Sequence, residues 1–518
     1  MLMDAAAYRE SLRAYSPRVF VDGQRVESVA DEPLLAPGIN GVGVTYDFAH
    51  YPEHQDIMTA RQGTSGKTVN RMLHINENST DLLYKLEAVR LVCKVSGCAQ
   101  RYLTHDALNG IFQATKRTDD NHGTDYSQRF LNYLHDVQDR DLTLGVAMTD
   151  AKGDRSKRPG QQANPDVYVH IKERRPDGIV IRGTKAIVTG APYMHEFLVM
   201  PCRTHTKEDA DFALCCAVPV DAPGVTIVAR RAGRPGEAAA KFSNKYGQST
   251  GVVIFDDVFV PHDRVFLAGE YEEGGFLTTS YATHHRHSCI GARAGFGDLL
   301  IGAGALMIEA NGLDADRHGH IREQMVDLIT ITESFYACGV ASSVYCTKDP
   351  AGSVMPDAVF SNIGKLLLAT KIYDMHKVAH YVSGGLIVAL PEPDEDHNPE
   401  TAASLSAVLG GRPDIPMEQR MEVARFIEDL TVSNQGGWYS VISLHGGGSP
   451  EAMKREIWRN YPVMEKVELV ESLLDRGILD QGQRVSKQPG RCCATGCEVP
   501  ALPQPQAVEP APIAPAAE

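Results

Sequence analysis

The chain has little that would tie it to a nucleic acid, a membrane or an oxidising compartment. Of its 518 residues only 51 are lysine or arginine against 66 aspartate or glutamate, and the formal net charge of -15 repels phosphate backbones and anionic lipid surfaces. No nucleic-acid partner is expected. No run approaches the roughly 20 apolar residues that span a bilayer, and Asp4, Arg9, Glu10 and Arg13 interrupt the start of the chain where a secretory signal needs an apolar stretch. A soluble, cytoplasmic protein without a membrane partner is therefore expected. The eleven cysteines lack the paired spacing of a disulfide framework or a zinc site, Cys492, Cys493 and Cys497 included, and read as reduced thiols.

What the chain does have is an ordinary globular composition, 43% hydrophobic and 23% charged, in a length too great for one small core. Its texture changes three times. Tyr8–Val26 reads as a short helix followed by a hairpin, with Asp22-Gly23 between β-branched residues. From Thr80 the positions Leu82, Leu83, Leu86, Val89 and Val92 recur at helical spacing, with Ser79 or Thr80 available as a cap, and Cys98 and Tyr102 continue that region. Residues 1–140 are expected to form a helical N-terminal domain. Short β-rich runs between Leu142 and Val260, separated by Gly, Pro or Asp, predict a β-barrel-like middle domain over 141–278. Long apolar-periodic stretches such as Gly295–Asn311 and Asp357–Val382 then predict a C-terminal helical bundle over 279–475. Residues 476–518, rich in Pro, Ala and Gln, read as a disordered tail. The fold class is α+β.

Several local stretches make the chain resemble a known family. They are Tyr8-Arg9-Glu10-Ser11-Leu12, Ala147-Met148-Thr149-Asp150 with Gly153-Asp154-Arg155, Gly183-Thr184-Lys185-Ala186 leading to Thr189-Gly190-Ala191, Phe255 to Pro261, Ser383-Gly384-Gly385, and His445-Gly446-Gly447-Gly448-Ser449-Pro450. Together they resemble the flavoproteins that include 4-hydroxyphenylacetate 3-hydroxylases and 4-hydroxybutyryl-CoA dehydratases, nearer to the dehydratase branch. The resemblance implies an acyl-CoA dehydrogenase-like fold and bound FAD. It places Met148, Thr149, Thr189 and Gly190 at the flavin, in two strand-end loops suited to meet over one ring. It also implies that Ser383, Gly384 and Gly385 meet a dinucleotide shared between subunits of a homotetramer.

The dehydratase branch carries an iron-sulfur cluster on a Cys-x3-Cys pair and a His-x6-Cys pair. Here the corresponding set is Cys98, Tyr102, His285 and Ala292, so two thiolates are missing and no metal is expected. A rebuilt cluster would use Cys98, His285 and Cys289, with Cys93 the awkward fourth candidate because it stands about 140° around the helix from Cys98. Ile442 replaces a glutamate of that branch, while Glu270 keeps a second acidic position.

The hydroxylase branch instead oxidises a phenol with FADH2 supplied by a separate flavin reductase. Under that reading Arg101 and Tyr102 line the substrate pocket, and His285 is the one of His284, His285 and His287 that faces the flavin as a proton carrier or substrate donor. The leading expectation is a two-component monooxygenase acting on an aromatic or electron-rich small molecule. The alternatives are a hydroxyacyl-CoA dehydratase or enoyl-CoA isomerase with a rebuilt cluster, a flavin-dependent dehydrogenase acting on CH-CH groups, and a non-catalytic scaffold.

Overall fold

A computed structural model describes residues 2–474; the expected tail, with its three cysteines, lies outside the described residues. The first 140 residues hold six helices, α1 (Ala5–Leu12), α2 (Ala36–Asp47), α3 (Gln55–Met58), α4 (Ser79–Ser96), α5 (Tyr102–His122) and α6 (Tyr126–Asp139). They also hold β1 (Val19–Val21) and β2 (Gln24–Val26), with a second small hairpin of β3 (Thr59–Arg61) and β4 (Thr68–Asn70). The β1–β2 turn has positive φ at both Asp22 (52°) and Gly23 (77°), as the Asp-Gly pair predicts for a tight hairpin. Asn78, and not Ser79 or Thr80, caps α4, its side chain accepting from the Asp81 amide.

The middle of the chain supplies β5 (Leu144–Ala147), β6 (Thr149–Asp150), β7 (His170–Arg175), β8 (Gly178–Thr189), β9 (Glu196–Val199), β10 (Leu214–Pro219), β11 (Val225–Ala229), β12 (Thr250–Pro261) and β13 (Val265–Ala268). One sheet runs β2-β1-β11-β12-β8-β6 with β7 also on β8, and the other runs β13-β10-β9-β5. Alternating residues of both sheets, among them Ile181, Phe255, Phe197 and Leu214, share one buried core. The hairpin joins this layer because β1 pairs in parallel with β11, so a segment of the first 140 residues belongs to the sheets.

Helices α7 (Gly274–Ala310), α8 (Gly319–Val344) and α9 (Ala358–Val382) follow, then α10 (Ala402–Leu409), α11 (Met417–Thr431) and α12 (Asn434–His445). By length and composition α7 could cross a membrane, contrary to the expectation that no such run exists, but 67% of its apolar window is buried inside the protein. It packs as the central helix of the bundle, with Ile290 and Phe296 in a core shared with Leu86, Phe335 and Leu368. Full burial of each such side chain contributes about 1.5–3 kcal/mol.

Glycines set how closely α7 meets its neighbours. A Cβ on Gly295 would lie 2.6 Å from the Arg90 carbonyl of α4, and one on Gly110 of α5 would lie 2.9 Å from the Tyr281 backbone. Both crossings bring the helix backbones into close approach, and polar groups of α4, α5 and α7 meet between them. Residues 458–474 belong to a separate unit, which includes the helix Val463–Leu473.

Candidate active site

The break between α4 and α5 shapes the site. Gly97 ends α4 with φ of 68°, and α5 starts only at Tyr102, so Cys98 lies in the turn and not on a continuous helix as the sequence suggested. The turn still brings Cys98 Sγ within 3.1 Å of the Tyr102 hydroxyl. Burial alone would raise the Cys98 thiol, but hydrogen bonding to Cys93 and the nearby Arg293 guanidinium outweigh it and bring its pKa to about 5.

Across from this pair, α7 presents His285 and Cys289 one turn apart, with Cys289 Sγ 3.6 Å from His285 Nε2. The other ring nitrogen, Nδ1, donates to Asp106 Oδ2 at 3.0 Å. Asp106 is fully buried on α5 and also accepts from Ser288 Oγ at 2.6 Å, with Lys85 Nζ 3.7 Å away. Burial would raise its carboxyl, but Lys85, His105 and His285 hold it well below the usual range. Burial lowers the His285 pKa, yet the facing Cys289 and Asp106 more than compensate and push it up to about 10. The Tyr102 and Tyr281 rings both stack with the imidazole, at 6.1 and 5.3 Å between centroids.

The three expected histidines divide sharply. His284 and His287 are buried, held well below the usual histidine range, and bonded to Gln113 and Ser343. Only His285 reaches the Cys98–Tyr102 side. Gly447, from the His-Gly-Gly-Gly stretch, lies over it, and a Cβ there would stand 3.3 Å from His285 Cδ2.

Arg101 takes a different place from the one expected. Its guanidinium is fully buried, paired with Asp141 and bonded to the Asp141 and Leu142 carbonyls, and stacks 3.8 Å over the Tyr46 ring. Tyr102 points instead to Cys98, so the two do not line one pocket, and Arg101 becomes a residue that anchors the start of α5. Nε and Nη1 of Arg101 have no partner in the fold.

The expected flavin loops do come together. Thr149 pairs with Ile187 on β8, and Thr189 lies two residues further on the same face, opposite Thr250. Ile187 is 54% exposed, leaving an apolar surface flanked by hydroxyls that suits an aromatic ring system. Lys185, buried beneath, ties this loop down by donating to the Met148 and Met200 carbonyls at 2.9 and 2.8 Å. Gly190 has φ of 74°, and a Cβ there would lie 2.8 Å from Gln100 Oε1, which brings this loop against the turn that carries Cys98. Met148, Thr149, Thr189 and Gly190 thus fit the cradle of a flavin. Ser383, Gly384 and Gly385 lie elsewhere, at the end of α9, where both glycines have positive φ and face open space.

The donor set does not fit a four-ligand cluster. Ala292 is buried and offers no ligand atom, and Tyr102 offers a phenol where a thiolate is wanted. Among the described residues no group of three or more His, Cys, Asp or Glu is placed to hold a metal ion. Sequence reasoning missed Asp106, Lys85, Ser288 and Lys185. The only signal was positional: Asp106 stands one turn after Tyr102, and Ser288 one turn after His284.

Comparison with known proteins gives the family. Residues 4–267 match the 4-hydroxyphenylacetate 3-hydroxylase N-terminal family and residues 275–475 its C-terminal counterpart. The 4-hydroxybutyryl-CoA dehydratase/vinylacetyl-CoA-Delta-isomerase of Clostridium aminobutyricum is 35% identical over 91% of this chain and 99% of its own. The 4-hydroxyphenylacetate 3-monooxygenase oxygenase component of Thermus thermophilus is 25% identical over 90% and 97%. An oxygen-tolerant 4-hydroxybutyryl-CoA dehydratase from N. maritimus superposes with a TM-score of 0.89 at 33% identity, covering 94% of this chain and 97% of that one. A 4-hydroxyphenylacetate 3-monooxygenase oxygenase component solved with FAD and 4-hydroxyphenylacetate shares the fold, with a TM-score of 0.82 at 22% identity over 91% and 98%. The chain belongs to the 4-hydroxyphenylacetate 3-hydroxylase family, which includes 4-hydroxybutyryl-CoA dehydratase, and is a flavin-dependent oxidoreductase with the acyl-CoA dehydrogenase-like fold.

Proposed function

We propose that this protein is the oxygenase component of a two-component monooxygenase, taking FADH2 from a separate reductase and hydroxylating an aromatic or similarly electron-rich small molecule. The observation that carries the reading is the Cys98–Tyr102 hydrogen bond: a phenol occupies one cluster-ligand position and Ala292 another, which leaves flavin and proton chemistry. When bound, reduced FAD would supply the electrons that activate dioxygen. Met148, Thr149, Thr189 and Gly190 would hold it, and Ile187 would shield a ring face from water.

The remaining work falls to the chain's own groups. His285, kept protonated by Asp106, places a proton at Nε2 that stabilises an anionic substrate oxygen. Tyr102, stacked near it, supplies a hydroxyl and an apolar ring wall to an aromatic substrate. Arg101 serves as a positioning residue for the α5 start, held by Asp141 and the Tyr46 ring. A homotetramer in the cytoplasm, with Ser383-Gly384-Gly385 turned toward a neighbouring subunit, belongs to the same proposal.

A second reading is favoured by the 35% identity to the dehydratase/isomerase across nearly the whole chain. An enoyl-CoA isomerase needs only a positioned acid-base group next to the flavin, and His285 could serve it. The two readings separate in one assay. With a flavin reductase, NADH and a panel of phenols under 18O2, the first predicts one labelled oxygen in the product; isomerisation of vinylacetyl-CoA without oxygen, and no labelled phenol product, would favour the second.

A further inference from the structure

We propose that Cys289 is a nucleophile, activated by His285 and positioned through Asp106, that adds covalently to a conjugated carbonyl compound such as an enone or enoyl thioester. The three side chains stand in the order of a nucleophilic triad. Sγ of Cys289 lies 3.6 Å from Nε2 of His285, and Nδ1 of the same ring donates to Asp106 at 3.0 Å. Ser288 and Lys85 hold Asp106 from the other side, so the imidazole has one orientation available. Nothing in the flavin chemistry above requires Cys289.

A second observation points to a ligand. Arg293, one turn beyond Cys289 on α7, is only 5% exposed, and its Nη1 has no partner although Nε is bound to Ser443. The guanidinium is held in place by stacking 4.4 Å over the Tyr439 ring, which leaves Nη1 without a hydrogen-bond acceptor. A buried cationic donor left open costs stability unless something anionic meets it. The oxygen of an enolate is such a group.

The step balances without an oxidant. The thiol proton rests on His285 Nε2 as a thiolate–imidazolium pair, sulfur bonds to the β-carbon of the acceptor, and the π electrons move to the carbonyl oxygen facing Arg293. The proton then passes from His285 to the α-carbon, leaving a saturated thioether. A polarizable thiolate favours a conjugated carbon of this kind over a harder centre.

The test uses the intact protein with N-ethylmaleimide, itself a conjugated carbonyl acceptor, and mass spectrometry to follow each cysteine peptide with time. The expected result is that Cys289 reacts far faster than the buried strand thiols Cys215 and Cys216. His285→Gln should slow Cys289 labelling by about 100-fold and leave the other thiols unchanged. Should that variant lose its fold, Cys289→Ala carries the test, because incubation with S-crotonyl-N-acetylcysteamine must give one adduct fewer than the parent protein. Labelling of Cys98 with Cys289 untouched, an unchanged Cys289 rate in folded His285→Gln, or equal crotonyl adducts with and without Cys289 would overturn the proposal.

Discussion

His285 of α7 and Asp106 of α5 meet at 3.0 Å in a site from which water is nearly excluded, and that contact fixes both the charge and the direction of the imidazole. It exists because Gly110 lets α5 lie against the backbone of α7. Asp106→Asn removes the charge and keeps the shape. Lys85 then loses its buried counter-charge, so stability should fall by about 3–5 kcal/mol. Turnover should fall about 10- to 100-fold. The decisive readout is the His285 pKa by imidazole NMR, which should move down from near 10 while Cys289 still holds part of the rise; an unmoved titration would show that Asp106 takes no part in it.

The flavin cradle can be tested at one hydroxyl. Thr189→Val keeps the β-branched shape on β8 and removes one donor, which should weaken FAD binding by roughly tenfold, about 1.4 kcal/mol. Isothermal titration with FAD measures it directly, and equal dissociation constants would remove Thr189 from the cradle.

Arg101 gives the opposite signature. Its guanidinium is buried against Asp141 and the Tyr46 ring, so Arg101→Ala should cost about 3–5 kcal/mol by leaving a buried carboxylate unpaired. Chemical denaturation checks this, and a normal unfolding midpoint with impaired substrate use would return Arg101 to direct substrate contact.

Acid should destabilise the fold through buried neutral histidines. His195 accepts from the Thr143 amide at Nδ1 and meets Ser11 through Nε2, and burial lowers its pKa to about 3; burial likewise lowers His105 to about 4. Their folded values lie below the unfolded value near 6.5, so the stability they contribute is complete above about pH 6.5 and is lost as pH falls toward 4 and then 3. His195→Gln can keep both hydrogen bonds without titrating. Its melting temperature should therefore fall less than that of the parent protein between about pH 6.5 and 4.5, and parallel curves would contradict the assignment.

Much of this was legible in the residues, and the parts that were not share a physical cause. Asp22-Gly23 encodes its hairpin locally, and the β-rich runs from Leu142 onward mark their strands because alternation is a short-range pattern. His285 could be singled out from its neighbours. The onset of α7 at Gly274 could not, because Gly274, Gly275, Thr278 and Thr279 read as loop residues and become helical only when packed. The Cys98 turn was hidden in the same way: the positive φ of Gly97 and the restart of the helix at Tyr102 depend on the surrounding bundle. Asp106, Lys85 and Ser288 come from three helices, and their meeting is a tertiary event that no spacing along the chain records.

The central claim is that this chain keeps a flavin cradle and has rebuilt, around Cys98, Tyr102 and His285, the place where its dehydratase relatives would bind a cluster. Anaerobic purification followed by assay of FAD, iron and acid-labile sulfide tests it most directly. The account predicts stoichiometric FAD with no stoichiometric iron; iron and sulfide together, at several atoms of each per chain, would contradict it.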